Sequence, residues 1–285
     1  MDGLSPEDLD RRLREFLAED VGSGDVTTDA IVPPDAVAVA AVVAKSDCVV
    51  SGLPEARRVF ELLDPRLSWQ EKARPGAAVP AGSTLATLSG RARAILTAER
   101  VALNLLQRMC GIATATRRYV EAVAGTGCRI LDTRKTAPGL RDFDRTAVRD
   151  GGGVNHRFGL FDMVLVKDNH RAIAGGIASS LEAARRGAPR GMTVEVEVES
   201  EEDLRAAVAG GADRVLIDNQ SPETVRRWAA IAREGERPPA IEASGNMTLA
   251  RVREYALAGA DEISVGALTH SVTAADISLE IEVRR

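Results

Sequence analysis

Two stretches of the chain end almost alike, AGGADRVLI at 209–217 and LAGADEISV at 257–265. In each, glycine stops a helix and an aspartate leads into an apolar strand, so the chain contains an internal βα repeat. The same texture runs from about residue 128 onward. Strand-like RILDT, VLVKDN, TVEVEVE, RVLIDN, AIEASG and EISVG occur in order, and the helical stretches SEEDLRAAVAGGA, SPETVRRWAAIA and TLARVREYALAGA lie between the later ones. Repeated βα units with short connections imply a parallel sheet with helices outside it, either closed as a barrel or doubly wound. No GxGxxG opens the first βα turn, and polar residues recur at the carboxyl ends of nearly every strand. Both features favour an α/β barrel with its chemistry at that end.

The chain before about residue 110 reads differently, as a charged helix followed by short apolar strands and turn signals such as VPPD, SGLP and RPGAAVPAG. This predicts a small α+β domain. PGAAVPAGSTLATLSG has the glycine rhythm of half a lipoyl or biotin carrier sandwich, but no lysine stands at the hairpin tip, which argues against a swinging-arm carrier. AILTAERVALNLLQRMC then predicts a strong helix, with Glu99 and Arg100 off its main apolar stripe. With 285 residues, 45% of them hydrophobic, the chain can bury a full core. A net charge of −5 gives no chain-wide positive field for nucleic acid, so any anion site must be built locally. The acidic, amphipathic amino terminus is no export signal, and AVAVAAVVA is too short to cross a bilayer, so a soluble, cytoplasmic protein is expected. Cys48, Cys110 and Cys128, without CxxC spacing, read as reduced core thiols.

In TVEVEVE, Glu195, Glu197 and Glu199 point to one side and the valines to the other. Helices outside the barrel should claim the valines and leave the glutamates to the lumen or mouth, where crowded carboxylates require cations or metal; a solvated acidic edge strand is the alternative. Asp218, ending RVLIDN, adds a carboxylate on a neighbouring strand, and Glu197 with Asp218 could share a hydrated Mg2+ carrying a diphosphate. Asp218 could equally cap the helix that follows. Ser244, Gly245, Asn246, Gly266 and Ala267 follow two late strands, where short glycine-bearing turns cradle phosphate, although any tight βα turn also needs glycine. Cations form the third element: Arg134 and Lys135 after the first barrel strand, His156 and Arg157 in the glycine-rich connection, and Lys167 at the end of the second strand. This set suits a substrate with two carboxylates plus phosphates.

TRKTAPGLR, GGGVNHRFGLFDMVLVKDNH, VEVEVE, LIDN, EASGN and ISVGALTHS together resemble the quinolinate phosphoribosyltransferase family, the decarboxylating nicotinate-nucleotide pyrophosphorylases, along essentially the whole chain. The resemblance implies an amino-terminal α/β sandwich (1–110, joined by 271–285) and an incomplete parallel α/β barrel (111–270). It implies a homodimer in which Arg100 is lent to the partner's site. Thr133, Arg134, Lys135, His156, Arg157 and Lys167 would surround quinolinate. Glu197 and Asp218 would face the ribose and magnesium diphosphate of phosphoribosyl diphosphate, and Ser244 to Asn246, Val265 to Ala267 and His270 the 5-phosphate. Lys135, Glu197 and Asp218 would carry the catalysis. A same-fold paralogue associated with molybdenum transport, with another acceptor, is the alternative.

Overall fold

The computed structural model describes residues 4–282. In chain order the elements before the repeat region are α1 (Pro6–Val21), α2 (Val26–Ile31), β1 (Val37–Ala44), β2 (Cys48–Val49), α3 (Leu53–Leu63), β3 (Ser68–Glu71), β4 (Ala78–Val79), β5 (Thr84–Arg91) and α4 (Ala92–Ala122). Then follow β6 (Arg129–Leu131), α5 (Arg141–Asp150), β7 (Val164–Val166), α6 (Asp168–Ala174), α7 (Ile177–Gly187), β8 (Val194–Val198) and α8 (Glu201–Ala209). The chain closes with β9 (Arg214–Asp218), α9 (Pro222–Ala232), β10 (Ala240–Ser244), α10 (Val252–Leu257), β11 (Glu262–Ser264), α11 (Ala267–His270) and β12 (Ile277–Glu282). The chain divides into two compact units. One runs to Arg117 and includes Ala137–Gly152 and the chain from Val272; the other is Arg118–Thr136 with Gly153–Ser271. The outermost ends of the first expected domain, 1–3 and 283–285, lie outside the described residues.

The first unit is built on an antiparallel sheet of order β12-β1-β5-β3. Along β1 the alternating Ala38, Ala40 and Val42 are buried, as a strand with one face on a core requires. α1 starts where Ser5 accepts the Asp8 N–H and Pro6 takes a position that needs no donor, and its Leu13 and Leu17 turn inward. The chain end is held against α4: the Ala275 N–H donates to the Gln107 carbonyl at 2.9 Å, and the Gln107 amide donates to the Ile277 carbonyl at 2.7 Å. Gly111 makes that approach possible, since a Cβ there would come within 2.2 Å of the Thr273 carbonyl oxygen. The segment 137–152, read from sequence as part of the barrel, belongs to this unit. Its helix α5 is tied to α4 by a two-pronged Arg108–Asp144 ion pair at 2.7 and 2.8 Å.

The second unit carries a parallel sheet of order β6-β11-β10-β9-β8-β7, whose six strands are the six read from the sequence. Its edges, β6 and β7, are consecutive in the chain. Beyond β6, among the described residues, there is a single parallel bridge, Leu131 to Val154, in place of a further strand. Curvature is shown by contacts that skip a strand: Arg214 on β9 reaches Glu262 on β11, and His156 touches both Glu195 on β8 and Glu242 on β10. Such contacts require one concave face, so the unit is an incomplete α/β barrel.

The repeated aspartates have a direct structural role. The Asp213 carboxylate accepts the Val194 N–H at 2.8 Å and the Asp261 carboxylate accepts the Ile241 N–H at 2.8 Å. In both places the backbone bond back, from the aspartate N–H to the same residue's carbonyl, is 2.9 Å. Each aspartate thus satisfies a donor at the start of a neighbouring strand and sets its register.

Candidate active site

Going up the concave face of the second unit, side chains lie in two levels. The lower level is a charged floor: Glu195, Glu242 and Glu262 are buried, with Arg214 bridging Glu242 at 2.8 Å and pairing with Glu262, which also meets Arg129. His156 closes this floor from above. It is 9% exposed, with Nε2 3.1 Å from Glu242 and 3.2 Å from Glu195. Burial opposes a charge on the ring, but the two carboxylates outweigh it and push the ring up to about 10. Glu195 in turn is pushed up to about 7, by burial first and by the Glu242 charge second.

Among the described residues, His156, Glu195 and Glu242 form a group with metal-ligand spacing. The geometry does not fit a metal. The Arg157 N–H donates to Nδ1 at 2.8 Å, which leaves the ring proton on Nε2, where an ion would have to bind. The Arg214 guanidinium already pairs with Glu242 at 2.8 Å and stands 3.7 Å from Glu195.

The upper level is the mouth, at the carboxyl ends of the strands. Two residues beyond Glu195, Glu197 emerges beside Lys167, with Nζ to Oε2 at 2.8 Å. Arg157 is half-buried, and its basicity is held below the usual arginine value by burial first and by the Arg134 charge second. Arg134 itself is exposed, and the two guanidinium charges are close enough to influence each other, so this side of the mouth carries a positive field suited to an anion. On the other side lies a cleft of about 380 Å³, lined by Thr133 and Lys135 after β6, Asp218 and Asn219 after β9, Ser244, Gly245, Asn246, Met247 and Thr248 after β10, and Ser264, Gly266, Ala267 and His270 around β11 and α11.

The cleft's floor is backbone in a conformation few residues accept. Asn219, Gly245 and Asn246 all have positive φ, at 53°, 98° and 46°. Gly245 cannot be exchanged freely, because a Cβ would lie 2.2 Å from Asn219 Oδ1. Asn219 donates its amide to Asp218 at 2.6 Å, and its N–H donates to the Ser244 carbonyl at 3.0 Å, so β9 and β10 end as one locked pair of turns. Gly266 admits the Lys135 stem, whose Cδ would be 3.1 Å from a Cβ at 266. Turns of this kind present backbone N–H groups to an anion, as a phosphate cradle does.

The residues singled out from sequence therefore fall into distinct places. Thr133, Lys135, Asp218, Ser244, Gly245, Asn246, Gly266, Ala267 and His270 share the cleft, and Lys167 meets Glu197. His156 lies beneath the mouth with its ring turned to the floor, and Val265 is buried, its N–H given to the Leu131 carbonyl at 3.0 Å. Glu199, grouped with its two neighbours by alternation, stands past the end of β8, exposed, and pairs with Arg171 at 2.8 Å. Arg100 is exposed on α4 in the first unit. Sequence reasoning missed Asn219, whose signal was an asparagine directly after a strand-ending aspartate, and Asp132, a wholly buried carboxylate ahead of the Thr133–Lys135 cations.

The chain matches the quinolinate phosphoribosyl transferase N-terminal domain over residues 25–110 and the C-terminal domain of the same enzyme over 112–280. The nicotinate-nucleotide pyrophosphorylase (carboxylating) of Mycobacterium leprae is 42% identical over 276 residues, which cover 94% of this chain and 95% of that protein. A probable nicotinate-nucleotide pyrophosphorylase (carboxylating) of Bacillus subtilis is 42% identical over 273 residues, 96% of this chain and 93% of the relative. The solved structure of nicotinate-nucleotide pyrophosphorylase from Francisella tularensis superposes with a TM-score of 0.93 at 38% identity, covering 99% of both chains. With the two-unit architecture and the mouth just described, these matches place the chain in the quinolinate phosphoribosyltransferase family.

Proposed function

We propose that the chain transfers the phosphoribosyl group of phosphoribosyl diphosphate to quinolinate with loss of CO2, giving nicotinate mononucleotide and diphosphate for NAD biosynthesis. What supports this reading is a mouth that holds Arg134 close to Arg157, Lys167 on Glu197, and Asp218 with Lys135 in a turn-lined cleft. Arginine forks and a lysine suit the two carboxylates of quinolinate. The Ser244–Asn246 and Gly266–Ala267 turns, with His270, suit the 5-phosphate.

As the bond from the ribose carbon to diphosphate breaks, positive charge grows on the sugar, and Glu197 and Asp218 stabilise it while the pyridine nitrogen forms the new bond. The alkylated nitrogen is then cationic. When the neighbouring carboxylate leaves as CO2, the electron pair left on the ring is stabilised by that charge and takes a proton. Lys135, which lines the cleft, balances the diphosphate charge as it departs. Magnesium would be held at the mouth by the hard oxygen donors of Asp218 and Glu197, which stand on adjacent strands, with Lys167 giving up its bond to Glu197. Bound there, the ion would neutralise diphosphate.

Arg100 would reach the site from a second copy in a homodimer. No helix among the described residues is long and apolar enough to cross a membrane, and we place the enzyme in the cytoplasm.

The test is direct. Purified chain with magnesium, phosphoribosyl diphosphate and quinolinate should release diphosphate, CO2 and nicotinate mononucleotide in equal amounts, and Lys135→Ala should cut the rate by about 100-fold or more. Turnover of nicotinate as fast as quinolinate would refute the dicarboxylate assignment. Undiminished product from Lys135→Ala would remove the lysine from the scheme.

A further inference from the structure

Asp132 follows β6, is completely buried and stands directly before Thr133, Arg134 and Lys135. Its two carboxylate oxygens are spent on consecutive residues of the glycine-rich connection. Oδ1 accepts the His156 N–H at 2.7 Å, and Oδ2 accepts the Asn155 side-chain amide at 2.6 Å. Its own N–H donates to the Val154 carbonyl at 3.2 Å, and the Val154 N–H donates to Ile130 at 2.8 Å. From there the order passes to Arg157, whose N–H is held by His156 Nδ1 at 2.8 Å while the far side of that ring rests on Glu195 and Glu242. Residues 155–157 have no regular secondary structure to fix them. The buried Asp132 carboxylate holds Asn155 and the His156 backbone, and the His156 ring holds the Arg157 N–H.

We infer that Asp132 is a positioning residue for the acceptor substrate: it registers the Arg134 segment against the Arg157 segment, so that the two guanidinium groups meet a dianion at a fixed separation. The inference rests on the functional reading above. Asp132 is fully buried and so acts through the segments it holds. Its lever is geometric, since a two-pronged arginine contact tolerates little displacement and Arg134 and Arg157 repel each other when no backbone constraint holds them.

The consequence is selective. Quinolinate contacts depend on both cation segments, whereas the turns after β10 and β11 that suit phosphate are held by their own bonds, such as the Asn219 N–H to Ser244. Asp132→Asn keeps the shape but, whichever way the amide turns, sets an NH2 against one of the two donors.

The experiment compares the full-length parent, Asp132→Asn and Asn155→Ala for the KM of each substrate, thermal midpoint, and hydrogen exchange of the peptide covering 153–158. Asp132→Asn should raise the quinolinate KM on the order of tenfold or more, leave the phosphoribosyl diphosphate KM within about twofold, and speed exchange in 153–158. Asn155→Ala should act in the same direction but more weakly. It carries the test on the same criteria if Asp132→Asn does not fold. A quinolinate KM unchanged in the variants, both KM values rising together, or unaltered exchange in 153–158 would overturn the inference. A parent that fails to consume quinolinate would instead refute the functional reading, and the exchange data alone would then decide what Asp132 positions.

Discussion

His156 meets three physical demands at once. Burial opposes charge on its ring, the flanking carboxylates favour it, and the Arg157 N–H at Nδ1 needs a lone pair that a doubly protonated ring lacks. The first two balance in favour of holding the ring up to about 10, and the third draws the ring toward its neutral form. Both arrangements put a proton on Nε2. They differ over a second proton, for which Glu195, pushed up to about 7, is the neighbouring acceptor. Histidine and glutamate therefore act as one unit that keeps an extra proton at neutral pH. The sign of the linkage follows from the direction of the shift. Folding raises the ring from 6.5 to about 10, so the folded chain holds more protons than the unfolded chain between those values. The stabilisation is complete below pH 6.5 and is lost as pH rises toward 10, at no more than about 1.4 kcal/mol per pH unit. Urea midpoints measured across that window should fall, and His156→Asn should flatten the decline. A variant profile as steep as the parent's would assign the proton to another group.

Within the elements, β8 shows what alternation can and cannot tell. It separated glutamates from valines correctly, yet the three glutamates have three fates: Glu195 in the floor, Glu197 at the mouth and Glu199 beyond the strand on Arg171. Period-two spacing gives the face of a strand but not the depth along it, and depth decides whether a carboxylate is ionised, paired or solvated. For the same reason the six parallel strands were legible, while the floor made by Arg129, Arg214, Glu242 and Glu262 was not, because its members come from four strands and meet only through curvature. The membership of segment 137–152 in the first unit is not legible in the sequence, since the Arg108–Asp144 pair that ties α5 to α4 is announced by no local pattern. The aspartate of the repeat was visible as a motif, but its bond to the neighbouring strand was not. That bond can be tested. Asp261→Ala leaves the buried Ile241 N–H without its side-chain acceptor and breaks the pair with Arg233 at 3.0 Å. The expected loss is about 1–3 kcal/mol in urea unfolding, with both substrate KM values unchanged. A shift in KM without a loss of stability would mean that the aspartate serves the site and not the register.

For the whole molecule, a net charge of −5 coexists with a mouth crowded with cations, so anion binding here is a property of local placement and not of the overall field. That makes one further cation significant. Arg100 is exposed on α4, next to Glu99, whose carboxyl is raised by burial first. Its proposed use lies in a second copy. If each barrel takes its own Lys135 and the partner's Arg100, the two defects fall in different chains of a site, and separately inactive variants can complement each other. In a mixed dimer of Arg100→Ala and Lys135→Ala, the barrel of the first chain keeps its lysine and receives an intact arginine. The barrel of the second lacks both. Equal mixing with free exchange makes about half of the dimers mixed, each with one intact site of two, so activity should recover to about a quarter of the parent's. Recovery should require conditions that let dimers exchange. If Arg100 instead served its own chain, mixing would restore nothing. If it served no site, Arg100→Ala alone would be active and its quinolinate KM would equal the parent's.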